Sequence, residues 1–276
     1  MTSEDTLPRK YYEITFLIHE IFGLTIPAKF DARQRNSLYE LFQEVSIDQI
    51  ILNLRDFNKS KLTSELFQLI NIFTVNHTFF YREHLHFEFL RNEILADCVE
   101  KFGIHADNEL RIWSAASSTG EEAYSLLFSI LKFKKNKKFN FRFKVLATDI
   151  DLFALKSAKS GVFSIKKLKN ISQSDKSNYF LQVDEANFQI KREIKKQVMF
   201  KWLNLNAYDY PMRQKFHVIF CRNVLIYLSK KSQRHVLKKL IKYLHPGGYL
   251  ILGSGEASNV IEKQLLPLGN SVFRKK

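Results

Sequence analysis

Two hydrophobic rhythms divide this chain. Over residues 9–73 apolar positions recur every three or four residues, the spacing of helices with one buried face. Tyr12, Phe16, His19/Glu20 and Gly23 outline a first amphipathic helix, with Gly23 placed to end it. Phe30 to Val45 outlines a second, with Leu38, Leu41, Phe42 and Val45 on one face. Ser46 can cap a short third helix through Leu54, and Thr63 a fourth whose Leu66, Leu69, Ile70 and Phe73 face inward. A longer helix is predicted from about His84 to Phe102, ending at Gly103. Beyond it, short apolar runs alternate with helical spacing: Leu110–Ala115 and a helix over 121–133, Phe143–Thr148 and 151–159, Phe216–Phe220 and 230–244, then Tyr249–Leu252. Such alternation predicts an α/β fold with a doubly wound parallel sheet. Pro246-Gly247-Gly248 breaks the last helix and turns the chain into its strand. One segment interrupts the alternation. Tyr179–Val183, Asn187–Ile190 and Val198–Phe200 are short period-two runs, read as a small antiparallel β-subdomain inserted at about 164–200. The expected division is an all-helical domain over 1–75 and an α/β domain over 76–276.

Composition narrows the class. Of 276 residues 45% are apolar, ample for a core, yet no run of about 18 apolar residues exists to span a membrane. The first ten residues lack the apolar centre of a secretion signal. Cys98 and Cys221 lie far apart, the usage of a reduced, cytoplasmic protein with neither disulfide framework nor metal site. The net charge of +15 is unevenly placed. Residues 1–70 hold eight Lys/Arg against ten Asp/Glu, whereas 131–201 hold eighteen against six. A positive middle implies an acidic partner, unless clusters such as Lys132 to Lys138 are only solvated surface.

The candidate chemistry lies in the turn Ser114-Ala115-Ala116-Ser117-Ser118-Thr119-Gly120-Glu121-Glu122, between a strand and a helix. Strand, small-residue turn and helix make a nucleotide-type pocket at the carboxyl end of a parallel strand. About 30 residues on, a second strand ends in Asp149, placed to accept ribose hydroxyls. Glu121 stands where phosphate binders carry Gly or Lys. A carboxylate repels a pyrophosphate and suits a cation, which points to S-adenosyl-L-methionine with its sulfonium and amino groups.

Five stretches occur in order: Asn76-His77-Thr78-Phe79-Phe80-Tyr81-Arg82-Glu83, Ala115 to Glu122, Ala147-Thr148-Asp149-Ile150-Asp151, Asn204-Leu205, and Phe220-Cys221-Arg222-Asn223-Val224-Leu225-Ile226-Tyr227. Together they resemble the CheR family of chemotaxis protein-glutamate O-methyltransferases, over about residues 10–273. The resemblance implies a Rossmann-like S-adenosylmethionine-dependent methyltransferase domain, an N-terminal all-helical domain and an inserted β-subdomain. It implies methyl transfer to glutamate side chains in the cytoplasmic helical region of chemoreceptors, with S-adenosyl-L-homocysteine as product. It assigns Arg82 and Tyr227 to catalysis. To the cofactor it assigns Asn76, Thr78, Arg82, Glu121, Asp149, Asn204, Leu205, Arg222 and Asn223. Plainer roles stay open: helix caps for Asn76, Thr78 and Asp151, a first-turn acid for Glu121, a junction ion pair for Arg82, and core packing for Tyr227.

The chain departs from the family pattern in three places. Ala123 replaces a common Pro after the Glu-Glu pair. The stretch Leu181 to Phe188 holds no Gly, so binding of a C-terminal receptor pentapeptide is not expected. The helical module is net acidic, so docking falls to a local basic face at Arg33 and Arg35 or to the positive middle of the chain. No nucleic-acid partner, membrane insertion or metal is expected, and the default state is a monomer. The competing readings are a cofactor-sensing module without catalysis and an RNA methyltransferase.

Overall fold

The computed structural model describes residues 3–27, 29–57, 63–105, 108–137, 139–257 and 262–276. Lys138, the end of the lysine cluster, lies outside the described residues. Four helices come first: α1 (Ser3–Phe22), α2 (Ala32–Glu44), α3 (Ile47–Arg55) and α4 (Ser64–Phe73). Asp31 and Gln34 close a capping box on α2, Ser46 accepts from the Gln49 N–H, and Thr63 accepts from the Leu66 N–H. Each cap satisfies an N–H that the helix itself cannot, worth about 1 kcal/mol.

The face of α1 differs from the expected one. Ile14, Ile18 and Phe22 are buried, whereas Tyr12 and Phe16 are 77% and 62% exposed. The two stripes are offset by two residues, roughly 200° around a helix. The aliphatic stripe packs on α3, where Ile50, Ile51 and Leu54 are buried.

Gly23 ends α1 at φ +72°, its N–H donating to the His19 carbonyl. Its carbonyl accepts from the Ser229 N–H, which seams the helices to the α/β part. A Cβ at position 23 would stand 2.5 Å from Ser232 Oγ and 2.9 Å from Asn206 Cγ. Gly23→Ala is therefore expected to cost about 2 kcal/mol, from left-handed strain plus overpacking. Urea unfolding checks this, and an unchanged midpoint would refute it.

The long helix after residue 83 comprises α5 (His84–Phe89), a π turn (Leu90–Ile94) and α6 (Leu95–Lys101). The main sheet holds β1 (Leu110–Ala115), β2 (Phe143–Asp149), β6 (Val198–Trp202), β7 (Phe216–Cys221), β8 (Leu244–Leu252), β9 (Leu265–Gly269) and β10 (Val272–Lys275). Its order is β6-β2-β1-β7-β8-β10-β9. The first five are parallel, and β10 runs antiparallel to both β8 and β9. Helices α7 (Glu121–Lys137), α8 (Leu152–Ser160) and α11 (Lys230–Tyr243) make the crossovers. The chain leaves β1 towards β2 and β6, then returns to β7 on β1's other side. The resulting switch point opens a crevice at the carboxyl ends of β1 and β7.

Alternate residues of the strands feed two cores. Ile112, Val145, Val218 and Phe220 pack with α5, α6 and α7. Trp113, Ala115, Ile219 and Leu250 pack with α11 and with α1 through α4. The N-terminal helices thus cover one face of the sheet and share its core.

The inserted sheet contains β3 (Val162–Ser164), β4 (Phe180–Gln182) and β5 (Asn187–Ile190) in the order β3-β5-β4, all antiparallel. It also carries a 3-10 turn (Ile165–Leu168), α9 (Gln173–Tyr179) and α10 (Arg192–Lys195). Its third strand is therefore Val162–Ser164. The expected third strand, Val198–Phe200, belongs to β6, paired parallel with β2. Alternating burial reveals a strand but does not name the sheet that it joins. β8 begins before the Pro-Gly-Gly stretch, with an irregular register against β7 between Phe216 and Val218.

Candidate active site

The turn after β1 is wound left-handed at Ala116, Ser118 and Gly120, with φ of +64°, +48° and +97°. Short side chains permit this, and Gly120 also lies against Ala158 with no room for a Cβ. The Ser117 N–H donates to the Thr148 carbonyl, and the Ser118 N–H to Asp149 Oδ2 at 2.7 Å. The turn is thus fastened to the end of β2. Asp149 is buried, with Oδ1 accepting from the Asp151 N–H. Burial raises its pKa to about 6 against the opposing pull of these hydrogen bonds.

Asp151 caps α8 through Oδ1, as the sequence allowed. Its Oδ2 also accepts from Asn71, Thr74 and Asn76 at 2.8, 3.0 and 2.6 Å. The exit of α4 is clamped there onto the sheet. Asn76 Oδ1 accepts from Ser118 Oγ, so this amide bridges the clamp and the turn. Neither Asn76 nor Thr78 caps a helix, since Thr74 ends α4 and Glu83 precedes α5.

Arg82 sits between two left-handed residues, Tyr81 and Glu83. Its Nη1 donates to the His77 carbonyl, and its guanidinium lies 5.9 Å from the Phe79 ring centre. Among the described residues it enters no ion pair, which removes the junction salt bridge. Arg222 differs: it is buried, with Nε donating to Glu122 Oε2 and both Nη atoms to the Arg82 carbonyl. Its Nη1 also reaches His86 Nδ1 at 2.8 Å. Burial and the Arg222 charge lower the His86 pKa. The ring is neutral, with Nε2–H donating to the Asn270 carbonyl and Nδ1 accepting. Asn223, left-handed at φ +57°, donates through Nδ2 to Glu83. Asn204 donates to the Ile21 carbonyl and accepts from the Asn206 N–H.

Nine of the ten sequence-selected residues line one cavity at the switch point: Asn76, Thr78, Arg82, Asp149, Asn204, Leu205, Arg222, Asn223 and Tyr227. Glu121 is the exception. It is fully buried, paired with Lys167 Nζ at 2.5 Å and accepting from Thr119 Oγ1. Its neighbour Glu122, one residue and about 100° further round the helix, lines the cavity instead. Glu122 accepts from Ser114 Oγ and from Arg222.

Sequence reasoning also missed the wall supplied by the N-terminal helices: Phe22, Leu24, Phe73 and Val75. The hydrophobic spacing marked Phe73 as buried but not what it faces. Glu256 was missed too. It is buried and binds the backbone of the Asn223–Ile226 loop. The Gly-Ser-Gly-Glu turn after β8 was its one available signal. Cys221 is buried at the end of β7, and burial drives its thiol pKa far up, which leaves it inert.

The parallel sheet, the left-handed turn after its first strand and the acid ending its second define a Rossmann-like, S-adenosylmethionine-dependent methyltransferase. The family model described as "CheR methyltransferase, SAM binding domain" matches residues 76–270. The chemotaxis protein methyltransferase of Borreliella burgdorferi is 34% identical over 240 residues, covering 87% of this chain and 85% of that protein. Its counterpart in Escherichia coli K12 is 34% identical over 225 residues, covering 80% and 74%. That of Salmonella typhimurium is 29% identical over 266 residues, covering 95% and 88%. The chain belongs to the CheR methyltransferase family, and its cofactor is S-adenosyl-L-methionine.

Proposed function

We propose that the protein methylates glutamate side chains in the helical region of chemoreceptors, as a cytoplasmic monomer serving chemotaxis. The observation carrying this reading is Arg82, a guanidinium on the cavity wall outside any ion pair of the described residues. The cavity's donor set fits the cofactor. Glu122 beside Arg222 and Asn76 suits the ammonium and carboxylate of a methionine group, Asp149 suits ribose hydroxyls, and Ile150, Asn204 and Leu205 suit an adenine face and edge. When bound, S-adenosylmethionine supplies a methyl group already activated by its sulfonium.

A glutamate is ionised at neutral pH, so the reaction needs no general base. The protein's task is to align the attacking oxygen and strip its water. Arg82 is suited to hold that carboxylate by two charge-assisted hydrogen bonds, with Tyr227 beside it. The segment 1–75 contributes one wall of the site, so the functional division at residue 75/76 is a seam across the cavity. In the β4–β5 turn, Asp184 Oδ1 accepts from the Ala186 and Asn187 N–H groups, closing a short hairpin without glycine. This compact turn supports direct docking on the receptor without a pentapeptide tether. No helix among the described residues is long and apolar enough to cross a membrane.

The test is incubation with radiolabelled S-adenosylmethionine and membranes holding the cognate, unmethylated receptors. Alkali-labile label on receptor-sized bands is expected, because carboxyl methyl esters hydrolyse in base. Confirmed cofactor binding without such label would overturn the reading.

Asp149 adds a pH signature. Its folded pKa of about 6 lies above the unfolded value of roughly 4, so the folded state binds more protons between them. Stability from this group is therefore present below about pH 4 and declines as pH rises through about 6. Ribose hydroxyls donate best to the ionised form. Cofactor affinity is thus expected to climb through the same window, as read by calorimetric titration. A flat profile would remove Asp149 from the ribose.

A further inference from the structure

Residues 161–197 carry eight Lys/Arg and four Asp/Glu. Their basic excess is sharpest at one place. The 3-10 turn Ile165–Leu168 and the residue after it present Lys166, Lys167 and Lys169 outward, while Leu168 is buried beneath. This turn is fixed at two points. Lys167 Nζ pairs with buried Glu121 at 2.5 Å and reaches Thr119 Oγ1 at 3.3 Å. Asn170 Nδ2 donates to the Phe80 carbonyl at 3.2 Å. The Phe80 ring packs on Phe163 and Phe180 of the inserted sheet, with centres 4.9 and 5.9 Å apart. Both anchors belong to segments that build the cavity: the turn opening α7, and the stretch two residues before Arg82. Lys166 and Lys169 enter no ion pair among the described residues.

The helical module carries no such basic excess, with eight Lys/Arg against ten Asp/Glu over residues 1–70. It is net acidic, and its two candidate arginines each donate to a backbone carbonyl of the module, Arg33 Nη2 to Ile72 and Arg35 Nη1 to Phe30. We propose that Lys166, Lys167 and Lys169 form a docking ledge for an acidic helix of the receptor, engaging carboxylates that neighbour the glutamate to be methylated. This deepens, and rests on, the receptor-glutamate reading. Charge complementarity selects the partner: a substrate segment bearing clustered glutamates meets a positive edge anchored to the turn that opens α7 and to the stretch leading into Arg82. Within about one Debye length at physiological salt, the two like charges of Lys166 and Lys169, on a turn anchored through Lys167, steer and orient such a helix. Glu121 thereby gains a function. It holds the ledge to the catalytic turn by neutralising Lys167 from below.

The experiment compares two double variants of the full-length enzyme on receptor-containing membranes. Lys166→Glu/Lys169→Glu reverses the exposed ledge and spares the anchor at Lys167. Lys135→Glu/Lys137→Glu makes the same charge change at exposed sites near the far end of α7, roughly 20 Å along that helix from Glu121. The ledge variant is expected to lose about tenfold or more in kcat/KM for receptor at low salt, a deficit that shrinks as salt rises. Its KM for S-adenosylmethionine and its rate at saturating receptor should match wild type, and the control pair should lose little. Equal losses in both pairs, or none in the ledge pair, would overturn the docking ledge while leaving methylation in place. Wild-type enzyme that binds cofactor but puts no alkali-labile label on the receptor would overturn the methylation reading, and the ledge with it.

Discussion

Arg82→Ala should lose roughly 10³-fold in methyl transfer while binding S-adenosylmethionine within a few-fold of wild type. The geometry separates the two effects because the scaffold uses the backbone of Arg82 rather than its side chain. The Arg82 N–H donates to the Phe79 carbonyl, and its own carbonyl accepts from both Nη atoms of Arg222. Among the described residues the guanidinium bonds only to the His77 carbonyl five residues back. Truncation therefore removes a cation from the cavity wall and leaves the Arg222–Glu122 bracket standing. Arg82→Lys should recover a minor part of the rate, since an ammonium restores charge but not the two-pronged geometry a carboxylate takes. Single-turnover transfer and calorimetric cofactor binding are the paired measurements. Cofactor affinity falling in step with turnover would reassign Arg82 to the methionine end. Unchanged turnover with normal binding would remove Arg82 from the transfer step.

Much of this architecture is legible in the chain, because the same residues set local and global structure. The caps at Ser46, Thr63 and Asp151 formed where polar side chains precede hydrophobic periodicity. The strands at β1, β2 and β7 formed where short apolar runs end in small or polar turns. What stayed illegible depends on partners distant in sequence. Tyr12 and Phe16 have the spacing of a buried face, but α3 offers its aliphatic residues to Ile14 and Ile18. Val198–Phe200 alternates equally well for either sheet, and only the vacant edge of β2 decides. At the site, strand-turn-helix spacing located the acidic pair Glu121-Glu122 but not which of them turns to the cavity. That choice belongs to Lys167, which arrives from 46 residues away and takes Glu121. The C-terminal hairpin of β9 and β10 escaped notice because its turn, Asn270 and Ser271 at φ +47° and +58°, lacks a simple glycine pair.

Glu256 should prove as sensitive as any residue in contact with the reactants. It is only 6% exposed, and its two oxygens accept four backbone N–H groups. Oε2 takes Asn223 at 2.7 Å and Gly253 at 2.8 Å, and Oε1 takes Leu225 at 2.7 Å and Ile226 at 3.4 Å. The carboxylate thereby sets the left-handed Asn223 and the 3-10 turn that carries Tyr227 into the cavity. Gly253 is required for the same reason: a Cβ there would lie 2.6 Å from Glu256 Oε2 and 2.7 Å from Asn223 Nδ2. Glu256→Ala leaves at least three short N–H donors buried without acceptors, each costing about 1–3 kcal/mol, so a loss of about 3–5 kcal/mol is expected. Glu256→Gln keeps one oxygen but turns an NH₂ towards two donors, so it should lose less stability while still displacing one arm of the loop. The decisive readout is turnover at a temperature where denaturant titration shows Glu256→Gln fully folded. A rate lowered tenfold or more there, with cofactor affinity reduced only modestly, would show that the loop geometry itself limits the reaction. A normal rate in the folded variant would confine Glu256 to stability, because Asn223 and Tyr227 would then reach their positions without it.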